Sequence, residues 1–477
     1  MTQIRVLSVE DQRLLHEKTV EILEKTGVVV KSQRIQYLME ELGCKVDKEK
    51  STIKFPGTLI EKAIESAPKS FVLGGLDPTK NMHLGEKETY LATDGQGCFV
   101  VDLDTGERRS SLMKDVIDSV VLADALDYID FYWPMVTAND AKMETRTLTE
   151  LANCFRYTGK HIQTDVFTSE QVPFFINALE AILGSKEQVK ERKIFSAVCC
   201  SVSPLSFDPE MLEACLDLTE YEVPIEILPM PISGATAPFS LLGTVLLNNV
   251  EVMAALTMFQ LNKPGTPVIY GSSAGILDMR TGLFAVGSPE GGLQNAACRE
   301  MAKFYDLPCL ATGMASDAKK PGIQATLEKI ATGLPVLLTD PDLLCGVGLV
   351  ETAQCLYHEQ MIIDEEIFGF MQRIKAGIKG GRDYIFSDLI SRIGAGGQYL
   401  SEESTVQLLR EGEHYITKLV NRESFEKWQD SSKKDLRQVA RERAKEILQA
   451  PRKEYLSAEI VKDLEKVLVS AEKALCS

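Results

Sequence analysis

From about Asp130 onward, apolar strand-length runs alternate with helix-length segments, and this alternation constrains the fold more than any other feature. The strand-like runs are Ile129 to Val136, His161 to Val166, Ile194 to Val202, Pro224 to Pro231, Pro267 to Ser272, Pro308 to Gly313 and Leu343 to Val347. The helical segments are Glu144 to Thr158, Glu170 to Leu183, Pro209 to Tyr221, Leu241 to Leu261, Glu290 to Tyr305, Gln324 to Leu338 and Asp364 to Ala376. Alternating βα units build a parallel sheet. Seven or eight of them over about 270 residues favour closure into a TIM (β/α)8 barrel. Gly396 to Leu400 is the segment assigned here to the missing eighth strand. An open doubly wound sheet is the alternative, but its G-x-G-x-x-G turn after the first strand is absent.

The flanks read differently. Leu7 to Thr26 has helical spacing, with Ser8 as N-cap and Gly27 as stop, and Ser32 to Leu42 and Pro56 to Ala67 read as two further helices. Short strand-like pieces follow at Phe71 to Leu73, Thr89 to Thr93 and Phe99 to Leu103, with a tight turn at Asp102 to Glu107. The expected organisation is an N-terminal α+β lobe (1–125), a TIM-barrel catalytic domain (126–400) and a C-terminal helical extension (401–477) in which Ser404 to Leu419 and Leu436 to Gln449 are helices.

Composition removes several function classes. Lys+Arg is 52 and Asp+Glu is 69, a net charge of −17, which argues against a nucleic-acid binder. No apolar run reaches the roughly 20 residues of a membrane helix, because Asn248, Asn249 and Glu251 interrupt the stretch beginning at Leu241. The N-terminus lacks a basic region followed by an apolar one, so a cytoplasmic protein with reduced thiols is expected from the eleven scattered Cys.

In such a barrel the chemistry lies just beyond the carboxyl ends of the strands. Those ends are rich in Gly, Ala and Ser, which predicts a wide mouth formed by the loops at Gly271, Gly313 and Gly346. The five His are widely separated, and no C-x-x-C or H-E-x-x-H occurs, so no metal site is expected. The single G-x-S-x-G match, Gly271 to Gly275, runs into a loop rather than a helix and reads poorly as a nucleophile elbow. Aromatics near strand ends, namely Phe99, Trp133, Phe207, Tyr270 and Tyr357, are candidates for a cage around a cation, each ring contributing about 0.5–2 kcal/mol. Arg280 is a candidate clamp for a carboxylate, His358 can donate a hydrogen bond or titrate, and Glu226 can face a cation from inside the barrel.

Six stretches resemble the trimethylamine methyltransferase (MttB) superfamily in the same order along nearly the whole chain. They are Asp102 to Arg109, Val120 to Phe131, Ile232 to Leu241, Pro264 to Gly282, Gly313 to Ala325 and Gly396 to Thr405. The resemblance implies a TIM barrel that passes a methyl group from a methylamine to the Co(I) centre of a small cognate corrinoid protein. The founding trimethylamine enzymes carry pyrrolysine, whereas this chain is written in the twenty standard residues. It therefore resembles the branch that demethylates quaternary amines such as glycine betaine, proline betaine and carnitine, in an anaerobic cytoplasm. On that reading Glu226 and His358 are the catalytic candidates. Phe99, Trp133, Phe207, Tyr270, Arg280 and Tyr357 contact the substrate, and the corrinoid (cobalamin) belongs to the partner, with no cofactor held tightly by this chain. A homo-oligomer is expected, with no nucleic-acid or membrane partner. A zinc-dependent thiol or alcohol methyltransferase and a non-catalytic betaine-binding homologue are the alternatives.

Overall fold

The computed structural model describes residues 2–476 apart from 87 and 432. Eight parallel strands form a closed barrel: β1 Tyr90–Thr93, β2 Ile129–Tyr132, β3 His161–Asp165, β4 Phe195–Val202, β5 Ile225–Leu228, β6 Val268–Ser272, β7 Cys309–Thr312 and β8 Leu343–Val347. Closure comes from the β8–β1 ladder, where Leu343 lies beside Tyr90 and Cys345 beside Ala92. Crossover helices follow the strands in turn: α1 Met113–Ala125, α2 Arg146–Tyr157, α3 Val172–Leu183, α4 Pro209–Leu218, α5 Leu241–Asn262, α6 Pro289–Phe304, α7 Ile323–Leu337 and α8 His358–Ala376. The fold is the expected α/β TIM barrel with an N-terminal α+β lobe and a C-terminal helical extension.

The eighth strand is not where the alternation placed it. Residues 396–400 form an exposed turn with no ladder partner. The closing strand is Tyr90–Thr93, read in the sequence as a strand-like piece of the N-terminal lobe because it stands before the alternation of strands and helices begins. Just before it, Phe71–Leu73 and Met82–Leu84 form an antiparallel hairpin. Leu73, Met82 and Leu84 are fully buried in one cluster with Tyr90, Phe131, Ile269, Leu310 and Leu343, so the hairpin plugs the amino end of the barrel. Asp342 fastens the plug, accepting from Gly85 N at 2.6 Å with one oxygen and from Cys309 N at 2.9 Å with the other.

The N-terminal helix Val9–Lys25 has Ser8 as N-cap, its hydroxyl accepting from Asp11 N. Gly27 follows at φ +73°, where a Cβ would lie 2.2 Å from Ile53 O, so only glycine fits this stop. The strand Val28–Val30 pairs in parallel with Ser206–Phe207, which sews the lobe to the end of β4. Helix α5 meets the length and apolarity of a membrane span, contrary to the expectation from its polar interruptions, yet most of it is buried between the lobe helices and the barrel. Two of its interrupting polar residues are engaged there. Asn249 Nδ2 donates to Thr19 Oγ1 at 2.7 Å and to Tyr305 OH at 3.0 Å, and Glu251 accepts from Ser203 Oγ and Leu205 N, both at 2.8 Å. Leu436–Gln449 packs on α8 and α1, and Ala458–Leu475 on α3 and α2.

Candidate active site at the carboxyl end of the barrel

Strand parity fixes what the barrel interior contains. Inward positions on β3 are His161, Gln163 and Asp165; on β4 they are Ser196, Val198 and Cys200; on β5 Glu226 and Leu228; on β6 Ile269 and Gly271. The apolar members fill the amino half. The polar members rise toward the carboxyl end, where a cavity of about 620 Å³ opens. Asp94, Gln96, Trp133, Asp165, Cys200 and Thr312 line it, together with Glu351 and Gln354 from the loop after β8. No Lys, Arg or His lines it among the described residues.

Glu226 lies below this cavity, with no solvent exposure. Gln163 Nε2 donates to its Oε2 at 2.5 Å, while Oε1 has no hydrogen-bond partner among the described residues. Burial pushes the carboxyl up to about 8, and Asp165 nearby adds to the shift, so Glu226 carries a proton at neutral pH. Gly271 provides its space, because a Cβ there would lie 2.9 Å from Glu226 Oε1 and 2.4 Å from Ile227 O. Behind Gln163 the polar chain continues through Ser196 Oγ, 3.0 Å from Gln163 Oε1, to His161 Nε2 at 2.8 Å. His161 Nδ1 lies 3.0 Å from the Gly74 carbonyl of the plug, and burial lowers the ring to about 4, so it stays neutral.

Three further carboxyls face the cavity, of which Glu351 is paired with the Arg108 guanidinium at 3.1 Å, leaving Asp94 and Asp165. Burial raises Asp94 to about 6, against the opposing pull of the Lys329 ammonium, and burial likewise raises Asp165 to about 6. Both are largely ionised at pH 7 and above. Trp133 is 5% exposed and its Nε1 has no partner, leaving an indole on the wall. The Cys200 and Cys345 thiols are pushed well up by burial, so neither is a ready nucleophile. Lys329 and Asp364 form a fully buried ion pair at 2.8 Å that pins the neighbouring strand ends. Lys329 Nζ also donates to Met314 O at 2.9 Å and Gly346 O at 2.8 Å, while Asp364 accepts from Gly348 N at 2.7 Å. An indole with carboxylates and no competing base can hold a compact cation.

Of the residues singled out in the sequence, Trp133 lines this cavity and Glu226 lies beneath it. The others lie elsewhere. Tyr270 points outward from β6, and its hydroxyl donates to Asn249 Oδ1 of α5 at 2.9 Å. Phe207 is buried in the sheet that joins the lobe to β4. Phe99 sits in a side sheet, its ring covered by the Arg108 guanidinium at 3.5 Å, and Tyr357 packs beside it with its hydroxyl donating to Lys319 O at 3.0 Å. Arg280 is 88% exposed at the side chain, with Asp278 at 4.0 Å as its ion-pair partner. His358 begins α8 and lines a separate cavity of about 220 Å³ with Arg109, Asp118 and Arg452. The three loop glycines are packing positions. Gly271 lies within β6, and a Cβ at Gly313 would meet Leu344 Cδ1 at 2.7 Å. Gly346, at φ +135°, would meet Gly313 O at 1.9 Å. Asp94, Gln96 and Asp165 were not anticipated. Each falls at or just past the end of a strand, and the one signal they offered was a carboxylate or amide in that place. No group of three or more His, Cys, Asp or Glu is arranged to hold a metal ion among the described residues.

The comparisons agree on ancestry. A family model described as trimethylamine methyltransferase (MTTB) matches residues 1–474. The trimethylamine methyltransferase MttB of Desulfitobacterium hafniense is 31% identical over 463 residues, covering 97% of this chain and 93% of that protein. That of Methanosarcina barkeri is 31% identical over 482 residues, covering 99% and 96%. A glycine betaine methyltransferase from D. hafniense is 27% identical over 450 residues, covering 94% and 93%. Among solved structures, the hydroxylamine complex of MtmB matches with a TM-score of 0.50 at 14% identity, covering 98% of this chain and 92% of that one, a likeness of fold alone. Matched from end to end by the family model and by relatives named as methyltransferases, the chain belongs to the trimethylamine methyltransferase (MTTB) family.

Proposed function

We propose that this chain moves a methyl group from a quaternary amine of the betaine type to the Co(I) corrinoid of a small partner protein. The observation that carries the reading is the cavity itself. It joins an indole to the Asp94 and Asp165 carboxylates, has no Lys, Arg or His on its wall among the described residues, and lies at the carboxyl end of the barrel. A quaternary ammonium fits such a wall. In the transfer the N–CH3 bond breaks with its electron pair left on nitrogen, giving a neutral tertiary amine, and the methyl carbon accepts its new pair from cobalt. No proton moves, so no acid or base is required of the chain. Trp133, Asp94 and Asp165 hold the cation and orient one methyl, and orientation supplies most of the catalysis. The neutral Glu226 below presents no second charge to bind the cation too deeply.

The rim supports a protein partner. Met230 and Phe239 beyond β5, and Met279 and Leu283 beyond β6, are all exposed apolar side chains around the mouth. In this reading the chain holds no metal or organic cofactor of its own and works in an anaerobic cytoplasm. The test mixes the purified chain with its corrinoid protein reduced to Co(I), adds a quaternary amine, and follows methyl-Co(III) by visible absorbance. Methylation from a quaternary amine with little from trimethylamine is expected. Inertness toward every quaternary amine, or activity that vanishes when bound zinc is removed, would refute it.

A further inference from the structure

A second cavity, of about 670 Å³, opens beside the first between the starts of α2 and α3 and the end of Ala458–Leu475. The two cavities share Gln96, whose Nε2 lies 3.4 Å from Glu150 Oε2. Helix α2 begins at this second cavity with Arg146 and Thr147, and the preceding Thr145 makes no side-chain cap. A 3-10 turn, Met143–Thr145, runs straight into it, so the helix reaches the cavity edge through its side chains. Arg146 has no ion pair or hydrogen bond among the described residues, and its Nε is enclosed and without a partner. Thr147 is 3% exposed, and its enclosed hydroxyl also lacks a partner. In a chain of net charge −17, an enclosed guanidinium Nε and an enclosed hydroxyl next to it, both without a partner among the described residues, make a site built for an anion. Glu144, Glu170 and Glu210 of the same cavity are exposed on its rim, and Glu150, buried, accepts from Ala138 N at 2.7 Å, while the Arg146 charge opposes the upward push of burial on its carboxyl.

We propose that Arg146 and Thr147 bind the carboxylate of the substrate, and that the substrate is a trimethylammonium carboxylate whose arm is long enough to pass Gln96. This rests on the quaternary-amine reading above. The ammonium lies against Trp133, Asp94 and Asp165 in the barrel. The arm runs past Gln96, and the carboxylate accepts from the Arg146 guanidinium and the Thr147 hydroxyl. Arg146 thus takes the place that the sequence assigned to Arg280.

Calorimetric titration of the full chain tests this with 4-(trimethylammonio)butanoate, glycine betaine, tetramethylammonium and butanoate. The butanoate betaine is expected to bind about 10- to 100-fold more tightly than tetramethylammonium, as a charge-assisted anchor allows. Glycine betaine, too short to pass Gln96, gains nothing from Arg146. Arg146→Met should remove most of the gain and leave tetramethylammonium within about twofold, Arg146→Lys should restore part, and Thr147→Val should cost less than Arg146→Met. Equal losses for both ligands, or none, overturn the proposal. If Arg146→Met lowers the melting temperature, the Lys and Val variants carry the test. Arg146-dependent binding of butanoate in a protein that methylates from no quaternary amine would keep the anion site and discard the proposed function. Methyl transfer from tetramethylammonium with no gain for the longer betaine would do the reverse.

Discussion

At its amino end the barrel holds Leu73, Met82 and Leu84 of the plug against Tyr90, Phe131 and Leu343, all buried in one apolar cluster. At its carboxyl end it holds Asp94 and Asp165 at the cavity wall, Glu226 beneath, and polar atoms on Trp133 and Glu226 without partners among the described residues. The two halves share the same strands, and parity puts one residue of each strand in each layer. The difference shows where folding free energy comes from and where it is given up. The lower layers are filled by buried apolar side chains, while the upper layers keep polar groups away from water without partners among the described residues, which is costly unless a ligand completes them.

The largest effect is expected at the filled end. Leu84→Ala removes a fully buried side chain from the plug and should destabilise by about 2–5 kcal/mol in denaturant unfolding, while the folded protein keeps its affinity for tetramethylammonium. Parallel loss of stability and affinity would mean that the two ends are one unit and would break the comparison.

The next effect concerns the cost of the polar end. Glu226 stands at about 8 in the folded chain and at 4.5 when free. Between those values the folded state keeps a proton that the unfolded chain has shed. Its contribution is therefore fully present below pH 4.5 and is lost as the pH rises through 8. Glu226→Gln should flatten that loss and raise stability at pH 8.5 by a few kcal/mol, read as the change in unfolding midpoint between pH 5 and 8.5. An unchanged pH profile would place the Glu226 carboxyl in contact with solvent.

The sequence disclosed the filled end better than the open one. Strands β2 to β8 were legible because strands covered on both faces by the barrel read as continuous apolar runs. The same feature hid their parity. Tyr270, between the inward Ile269 and Gly271, could not be told from a cavity residue, nor Phe207 from a strand-end aromatic. Glu226 was legible as a lone carboxylate inside an apolar strand. Asp94 and Asp165 were not, since each lies at or past a strand end, nor was Arg146 at the start of α2, because local pattern at element ends carries no information about direction. Gly313 and Gly346 advertised an open mouth but serve close backbone packing instead.

A smaller effect separates binding from stability. Ionised Asp165 attracts a cation, and its carboxyl titrates near 6. Tetramethylammonium affinity should rise from pH 5 to pH 7.5, opposite in sign to the Glu226 contribution to stability. Asp165→Asn should weaken binding about tenfold at pH 7.5 and hardly at pH 5, where the wild-type carboxyl is already neutral. A loss of the same size at both values would assign Asp165 to packing.

The smallest effect is expected at Arg280. Its side chain is 88% exposed, and its one ion pair, to Asp278 at 4.0 Å, is of the kind that contributes little. Arg280→Ala should change stability by less than about 0.5 kcal/mol and substrate affinity by less than about twofold. The residue nonetheless stands between the exposed Met279 and Leu283 on the apolar rim. A charge in that position acts on the approach of a macromolecule, over distances that salt screens, rather than on a ligand inside the cavity. The substitution should therefore change the docking rate of the proposed corrinoid protein at low ionic strength and leave it unchanged at high salt, measured by association kinetics with substrate binding as the control. Loss of substrate affinity with docking intact would return Arg280 to the cavity, and would require the loop that carries it to fold inward over the open end.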